Sequence, residues 1–422
     1  MGGRNDWWRD FADAGRDNPF KRVGRFFRPP ILGLIQETEK TTKVQFNPIE
    51  QSRAACQAQR LSKPGTDMLS ALNSRCSRLL ARLIVATFCA LAGTAVADQG
   101  AHHGFVYHSI GDTRAETPGQ PTFGLMLMGG GDWMDDAFHW FVQRAAGGHI
   151  VILRASGDVD LQNRLYHDIG GVSSVETFVF SQREAADDAF VIKAIEHADG
   201  IFIAGGDQSN YIRFWKGTRL NAALDRHVRA GKPLGGTSAG LAILGAASYG
   251  ALDGGSITST AALAEPLGAA VTLDHDFLHL RFLDRIITDS HFGKRERLGR
   301  LIAFLAKAQS TQLLDRPIGM GVDENTALCI DGKGNATVFS GSGGYAWMVQ
   351  PSTAPGVVAA GTPLSWAGIR ITGIGTDSHV NLRTFEVQHP AFQRTADVER
   401  GILSIHEAAD SSTATAPRRE NP

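Results

Sequence analysis

The sequence predicts an α/β protein built on a mostly parallel sheet sandwiched by helices, with a β-rich C-terminal region. Three observations carry this prediction. From residue 122 onward, short apolar runs alternate with amphipathic stretches of helical spacing. Gly-rich segments at 129–131, 205–208 and 235–240 close several of those runs, where strands of an open parallel sheet would end and ligands bind. After about residue 326 the helical spacing gives way to short apolar runs broken by Gly-rich turns.

Taken in order, residues 123–128 form a fully apolar strand that ends in Gly129-Gly130-Gly131, and an amphipathic helix follows over about 133–146. Residues 150–153 and 175–180 are further strands, and a helix is predicted over about 184–197. Residues 200–204 are a strand closed by Gly205-Gly206-Asp207-Gln208, and a helix covers about 219–230. Pro233-Leu234-Gly235 then leads into Gly236-Thr237-Ser238-Ala239-Gly240 and the apolar helical stretch 241–244. Strands are predicted at 283–288, 318–322 and 326–330. Asp331-Gly332-Lys333-Gly334 and Gly341-Ser342-Gly343-Gly344 are turns between the β-hairpins that follow. Strands that are apolar on both faces belong to a sheet covered on both sides.

The chain of 422 residues is 43% hydrophobic and 20% charged, a globular composition that excludes intrinsic disorder as its general state. Its 42 basic and 43 acidic residues give no basic footprint, so nucleic acid is not an expected partner. The balance hides an asymmetry. Residues 1–97 carry 15 basic and 8 acidic side chains, which leaves 27 and 35 in the remainder. Arg75, Arg78 and Arg82, the apolar run 83–92 and Ala95-Val96-Ala97 have the three parts of a secretory signal over 68–97. That run is shorter than the ~20 residues of a membrane-spanning helix. The expectation is cleavage after Ala97, a secreted or periplasmic product and no lasting membrane span, with 1–67 a mis-extended start or a disordered arm. The remaining divisions are a linker at 98–121, an α/β domain at 122–345, the β-rich region at 346–407 and a disordered tail at 408–422. Of Cys56, Cys76, Cys89 and Cys329, only Cys329 follows Ala97, in an apolar strand that makes it a buried small hydrophobe.

Gly236-Thr237-Ser238-Ala239-Gly240 fits G-x-S-x-G between a strand and a helix, the setting of a nucleophile elbow. There Ser238 projects from the sheet, and the Ala239 N–H at the helix start faces a developing oxyanion; a second donor is expected near Gly206. Helix capping by Thr237 or Ser238 is the plainer alternative. A serine needs a base, and His291, in Asp289-Ser290-His291-Phe292 at a strand end, is the candidate. Asp323 or Glu324, closing the next strand, would orient the imidazole. Arg295, Arg297 and Arg300 follow; a guanidinium binds carboxylate bidentately, so they could hold an acidic substrate or form a solvated face. His275 and His279 have i, i+4 spacing, but no HExxH order or further ligand accompanies them, so no metal is expected. Gly129-Gly130-Gly131 lacks the Lys-Ser/Thr of a phosphate loop, so no nucleotide or other cofactor is expected. Asn335-Ala336-Thr337 is a formal glycosylation sequon.

Together, Gly205-Gly206-Asp207-Gln208, Gly236-Thr237-Ser238-Ala239-Gly240, Asp289-Ser290-His291-Phe292 with its arginines, and Gly321-Val322-Asp323-Glu324 resemble the cyanophycinase and aspartyl-dipeptidase family of serine peptidases over about residues 122–345. The resemblance implies a fold related to class I glutamine amidotransferases (flavodoxin-like), with Ser238 as nucleophile, His291 as base and Glu324 as third member. It implies that Gln208 and Asp289 line the site, that the arginines help bind acidic substrate, and that the chain forms a homodimer. The implied reaction is exopeptidase cleavage of cyanophycin, a poly-aspartate bearing arginine on each side chain, or of related acidic or β-aspartyl peptides. At Ser290 the cyanophycinases typically carry Gln. An esterase or amidase with the same triad, and a non-catalytic binding homologue, are the alternative readings.

Overall fold

The computed structural model describes residues 103–356 and 358–407. The extension at 1–67, the signal-like segment at 68–97 and the tail at 408–422 lie outside the described residues. In chain order the main elements are β1 (Phe105–Gly111), β2 (Gly124–Met128), α1 (Asp135–Arg144), β3 (His149–Arg154), β4 (Ser174–Phe180), α2 (Ala189–His197), β5 (Gly200–Ile203), α3 (Gln208–Trp215) and α4 (Arg219–Arg229). β6 (Leu234–Thr237), α5 (Ala239–Ala242), β7 (Ala247–Tyr249), α6 (Ser259–Ala264), β8 (Leu273–His275), β9 (Ile286–Asp289), α7 (Leu298–Ser310) and β10 (Ile318–Val322) follow. The chain continues with β11 (Thr326–Asp331), β12 (Asn335–Ser340), β13 (Ala346–Pro351), β14 (Trp366–Ile374), β15 (His379–Asn381), β16 (Glu386–Gln388), β17 (Phe392–Glu399) and β18 (Ile402–Glu407).

The parallel sheet that the alternating pattern predicts is the centre of a ten-stranded sheet ordered β1-β4-β3-β5-β6-β2-β11-β12-β15-β16. β4, β3, β5, β6 and β2 run parallel. β1 and β11 pair antiparallel at either side of them. Alternate residues of these strands face two cores. Met126, Ile150, Ile152 and Phe202 pack with Phe138 and Phe141 of α1. Leu127, Val151, Leu153 and Ile203 pack with Val191, Tyr211, Trp215 and Leu224 from α2, α3 and α4. Each such apolar side chain contributes ~1.5–3 kcal/mol on full burial.

A second sheet, ordered β18-β17-β14-β13-β10-β9-β7-β8, holds most of the C-terminal strands. Its β9 and β10 are parallel, and β13, β14, β17 and β18 extend it antiparallel. Leu301, Phe304 and Leu305 of α7 cover one of its faces with Ile287, Val349, Ile369 and Ile371, while Met320, Val322 and Met348 point into the core shared with the first sheet.

Four local expectations change. The supposed linker 98–121 contains β1, paired along all its length with β4; a half-exposed edge strand has too weak an alternation to stand out. The predicted helix over 184–197 is a 3-10 turn (Glu184–Asp187) and then α2, because Asp188 caps α2 by accepting the Phe190 N–H at 2.7 Å. The glycines at 341–344 are not a hairpin turn, since β12 and β13 lie in different sheets. The boundary at 345/346 separates nothing: β13 pairs directly with β10. Cys329 is buried in β11, as expected.

Candidate active site

The carboxyl ends of β5 and β6 in the first sheet, and of β9 and β10 in the second, meet around Ser238. Ser238 joins β6 to α5 with φ 54° and ψ −115°, a conformation that costs a non-glycine residue on the order of 1–3 kcal/mol. The elbow exists because its two glycines allow close approach. A Cβ on Gly236 would lie 2.7 Å from the Gly240 carbonyl oxygen, and one on Gly240 would lie 2.1 Å from that of Ile203. The Ser238 N–H donates to Met128 O at 3.2 Å, tying the turn to β2.

His291 follows β9, also with positive φ (48°). Its backbone N–H donates to Gly129 O at 2.7 Å, and its ring lies so close to Gly130 that a Cβ there would come within 2.3 Å of Cε1. The glycine triplet is thus the seat of the imidazole. Ser238 Oγ and His291 Nε2 are 2.7 Å apart. On the other side of the ring, His291 Nδ1 meets Glu324 Oε1 at 2.6 Å. Burial, above all, lowers the His291 pKa from its ordinary value; the hydrogen bond to Glu324 opposes this, and the Arg295 and Arg297 charges reinforce it.

Of the two adjacent carboxylates, only Glu324 reaches the ring. Asp323 is taken up by structure, accepting from Gly293 N at 2.8 Å, Trp347 Nε1 at 3.0 Å and Tyr345 N at 3.0 Å. Burial works against ionisation of Glu324, but hydrogen bonds from Lys294 and His291 outweigh it and hold the carboxyl below its usual range. The Lys294 ammonium donates to Glu324 Oε2 at 2.7 Å. Sequence reasoning missed Lys294, whose only signal was its place in a basic run.

A cleft of about 310 Å³ opens beside Ser238 and His291. Gly206, Ala239, Gln208, Ser290, Arg295 and Arg297 are on its walls. As the first residue of α5, Ala239 offers an N–H without an intrahelical acceptor. Asp289 and Arg300 do not line the cleft, which corrects the expectation that they contact substrate. Each is 2% exposed; Arg300 donates through Nε to Asp289 Oδ2 at 2.7 Å and through Nη2 to Oδ1. Arg300 also donates to Ser256 Oγ at 2.7 Å and lies over the Tyr249 and Phe304 rings. The pair is an internal brace, because two fully desolvated opposite charges satisfy each other. Arg297 bridges brace and cleft, donating to Ser290 O at 2.7 Å and to Asp289 Oδ1 at 3.4 Å; burial pushes its guanidinium down to about 10, still protonated at neutral pH. Arg213, which sequence reasoning passed over, also lines the cleft; five positions after Gln208, it belongs to no motif.

The segment 274–279 is the end of β8 and a loop, not a helix, so the i, i+4 argument for His275 and His279 does not apply. His279 is hydrogen-bonded to Asp225 and Asp276, each at 3.0 Å. Among the described residues no group of three or more His, Cys, Asp or Glu is arranged to hold a metal, and no helix is long and apolar enough to cross a membrane.

A family model described as peptidase family S51 matches residues 162–338. The chain is 32% identical over 260 residues to a cyanophycinase of Synechococcus elongatus, covering 59% of this chain and 75% of that relative. A cyanophycinase of Thermosynechococcus vestitus matches to the same extent. Among solved structures, a peptidase from an acI-B1 Actinobacterium superposes on 62% of this chain and 97% of its own length, with 16% identity and a TM-score of 0.39.

Proposed function

The chain belongs to peptidase family S51 and is a serine-type peptidase, and from that premise we propose that it hydrolyses acidic or β-aspartyl peptides, cyanophycin among them, through Ser238, His291 and Glu324. The observation that supports this most directly is the hydrogen-bonded line from Ser238 Oγ to His291 Nε2 (2.7 Å) and from His291 Nδ1 to Glu324 (2.6 Å). In the proposed reaction His291 Nε2 takes the Ser238 proton as Oγ attacks the scissile carbonyl carbon. The oxyanion forms against the Ala239 and Gly206 N–H groups. The C–N bond breaks as His291 returns the proton to the leaving amine. His291 then deprotonates a water, which cleaves the acyl ester and releases a carboxylic acid and the free serine. Glu324 holds the imidazole tautomer and stabilises the imidazolium. The cationic wall at Arg295 and Arg297 favours substrates bearing carboxylates. Export after cleavage near Ala97 is part of the proposal, since it would place the enzyme with a polymer released outside the cell; sequencing the mature N-terminus checks it.

The test incubates the chain and its Ser238→Ala variant with cyanophycin and with α- and β-aspartyl dipeptides, reading products by mass. Release of β-aspartyl-arginine or of free aspartate by the wild type alone is the expected result. Equal product from both proteins would overturn the assignment of Ser238.

A further inference from the structure

The first sheet has a second cavity, at the end away from Ser238. His149 opens β3 and Ser174 opens β4, so the space beside them lies at the amino ends of the parallel strands, whereas Ser238 and His291 follow carboxyl ends. This cavity of about 630 Å³ is walled by β1, β4, α2 and the loop after β1, a size within the range of small-molecule sites. Glu176 of β4 lines it and is itself 5% exposed. Its Oε1 accepts from the Tyr107 hydroxyl at 2.7 Å. Its Oε2 has no hydrogen-bond partner among the described residues and stays accessible from the cavity, and no basic side chain among them forms an ion pair with it. The neighbouring His149 is committed elsewhere: Nδ1 meets Ser174 Oγ and Nε2 donates to Ala115 O, each at 2.7 Å. Burial raises the Glu176 pKa above its ordinary value, against the hydrogen bond from Tyr107 and the His149 and His197 rings. A buried carboxylate with one oxygen open to a cavity favours a ligand that brings the missing positive charge.

The remaining walls agree with that charge. Tyr107 and Phe190 meet edge to face with centroids 4.9 Å apart, and Phe190 remains 38% exposed; aromatic faces take up alkyl groups and attract cations. α2 ends at His197 on the cavity wall, and the carbonyl end of a helix carries partial negative charge. Arg114 and Lys193 are exposed at the mouth, and among the described residues neither side chain has a carboxylate partner. The cavity is thus negative within, apolar along one wall and positive at its rim. We propose that it is a binding site for a free basic amino acid, whose side-chain cation pairs with Glu176, whose methylenes lie along Tyr107 and Phe190, and whose carboxylate meets Lys193 and Arg114. A metal ion does not fit, because the described residues include no group of three or more His, Cys, Asp or Glu arranged to hold one. The site is separate from the serine chemistry, since none of its residues lines the cleft beside Ser238.

The test titrates the full chain calorimetrically with three probes. L-arginine is the ligand type proposed, L-citrulline has nearly its shape without the side-chain charge, and agmatine keeps the guanidinium and lacks the carboxylate. Arginine is expected to bind tighter than citrulline by about tenfold or more, the scale of one charge-assisted hydrogen bond, and tighter than agmatine. In Glu176→Gln the preference over citrulline falls to near unity; the amide keeps the side-chain shape and an oxygen for Tyr107, and the melting temperature checks the fold. In Lys193→Met, a change at an exposed position, the advantage over agmatine shrinks while that over citrulline stays, which tests the site even where Glu176→Gln fails to fold. Arg295→Gln, whose charge belongs to the other cleft, leaves all three affinities unchanged. No binding of arginine, equal binding of arginine and citrulline by the wild type, an undiminished preference in Glu176→Gln, an unaltered advantage over agmatine in Lys193→Met, or loss of arginine binding in Arg295→Gln overturns the proposal.

Discussion

Asp323 and Glu324 are neighbours with different fates, and the difference is hydrogen-bond supply. Asp323 is saturated by two backbone N–H groups and an indole, whereas Glu324 faces His291 and Lys294. Replacing Glu324 by Gln keeps the shape and removes the charge that holds the imidazole tautomer. The expected loss in kcat/KM is about 10³-fold or more, the scale seen when a serine triad loses its carboxylate, read by steady-state kinetics with KM little changed. Because the His291 pKa is lowered chiefly by burial, the acidic limb of kcat/KM is expected below the ordinary imidazole value of about 6.5. Arg295→Gln removes a charge that lowers it, so the limb should move to higher pH. The same shift has a stability consequence. Between the folded and unfolded pKa values the unfolded chain binds more protons, so this contribution is intact above about pH 6.5 and is lost as pH falls toward the folded value. Denaturant unfolding of wild type and His291→Gln across pH 5–7 measures it.

At the scale of elements, the elbow and the brace set how precisely the site is held. Gly240→Ala would drive a Cβ into the Ile203 carbonyl, forcing α5 away from β5. Overpacking of this kind costs ~1–3 kcal/mol, and the expected outcome is a lower melting temperature together with slow labelling of Ser238 by a serine-directed phosphonate. Asp289→Asn leaves Arg300 buried without its counter-charge, which destabilises by ~3–5 kcal/mol. Since β9 ends at Asp289 and His291 follows two residues later, labelling should fall with stability. A variant as stable as wild type would show that the brace is dispensable.

For the whole molecule, the two sheets are one folding unit in the sense that matters for truncation. Ending the chain at residue 345 removes Met348, Val349, Ile369, Ile371 and Ile374, all essentially fully buried. At ~1.5–3 kcal/mol each, their loss is comparable with the 5–15 kcal/mol that stabilises a typical native protein. The truncated chain is therefore expected to be unfolded or aggregated, by circular dichroism and gel filtration, while a chain ending after Glu407 folds. A soluble, cooperatively melting product ending at 345 would show that the C-terminal strands are an accessory layer.

The sequence by itself determined the alternation of strand and helix, the elbow around Ser238, and the segments holding His291, Gln208 and the arginines. Those signals are local: periodicity reports which faces are buried, and glycine spacing reports where backbone must come close. Only the tertiary structure decided that Asp323 is taken up by Gly293, Tyr345 and Trp347, that Arg300 braces Asp289 while Arg213 lines the cleft, that 98–121 supplies an edge strand, and that the last strands continue a second sheet. Each of those outcomes depends on which distant residues become neighbours, as with Ser238 and His291, 53 positions apart. Neither periodicity nor motif spacing in one sequence encodes the long-range pairing that brings such residues together.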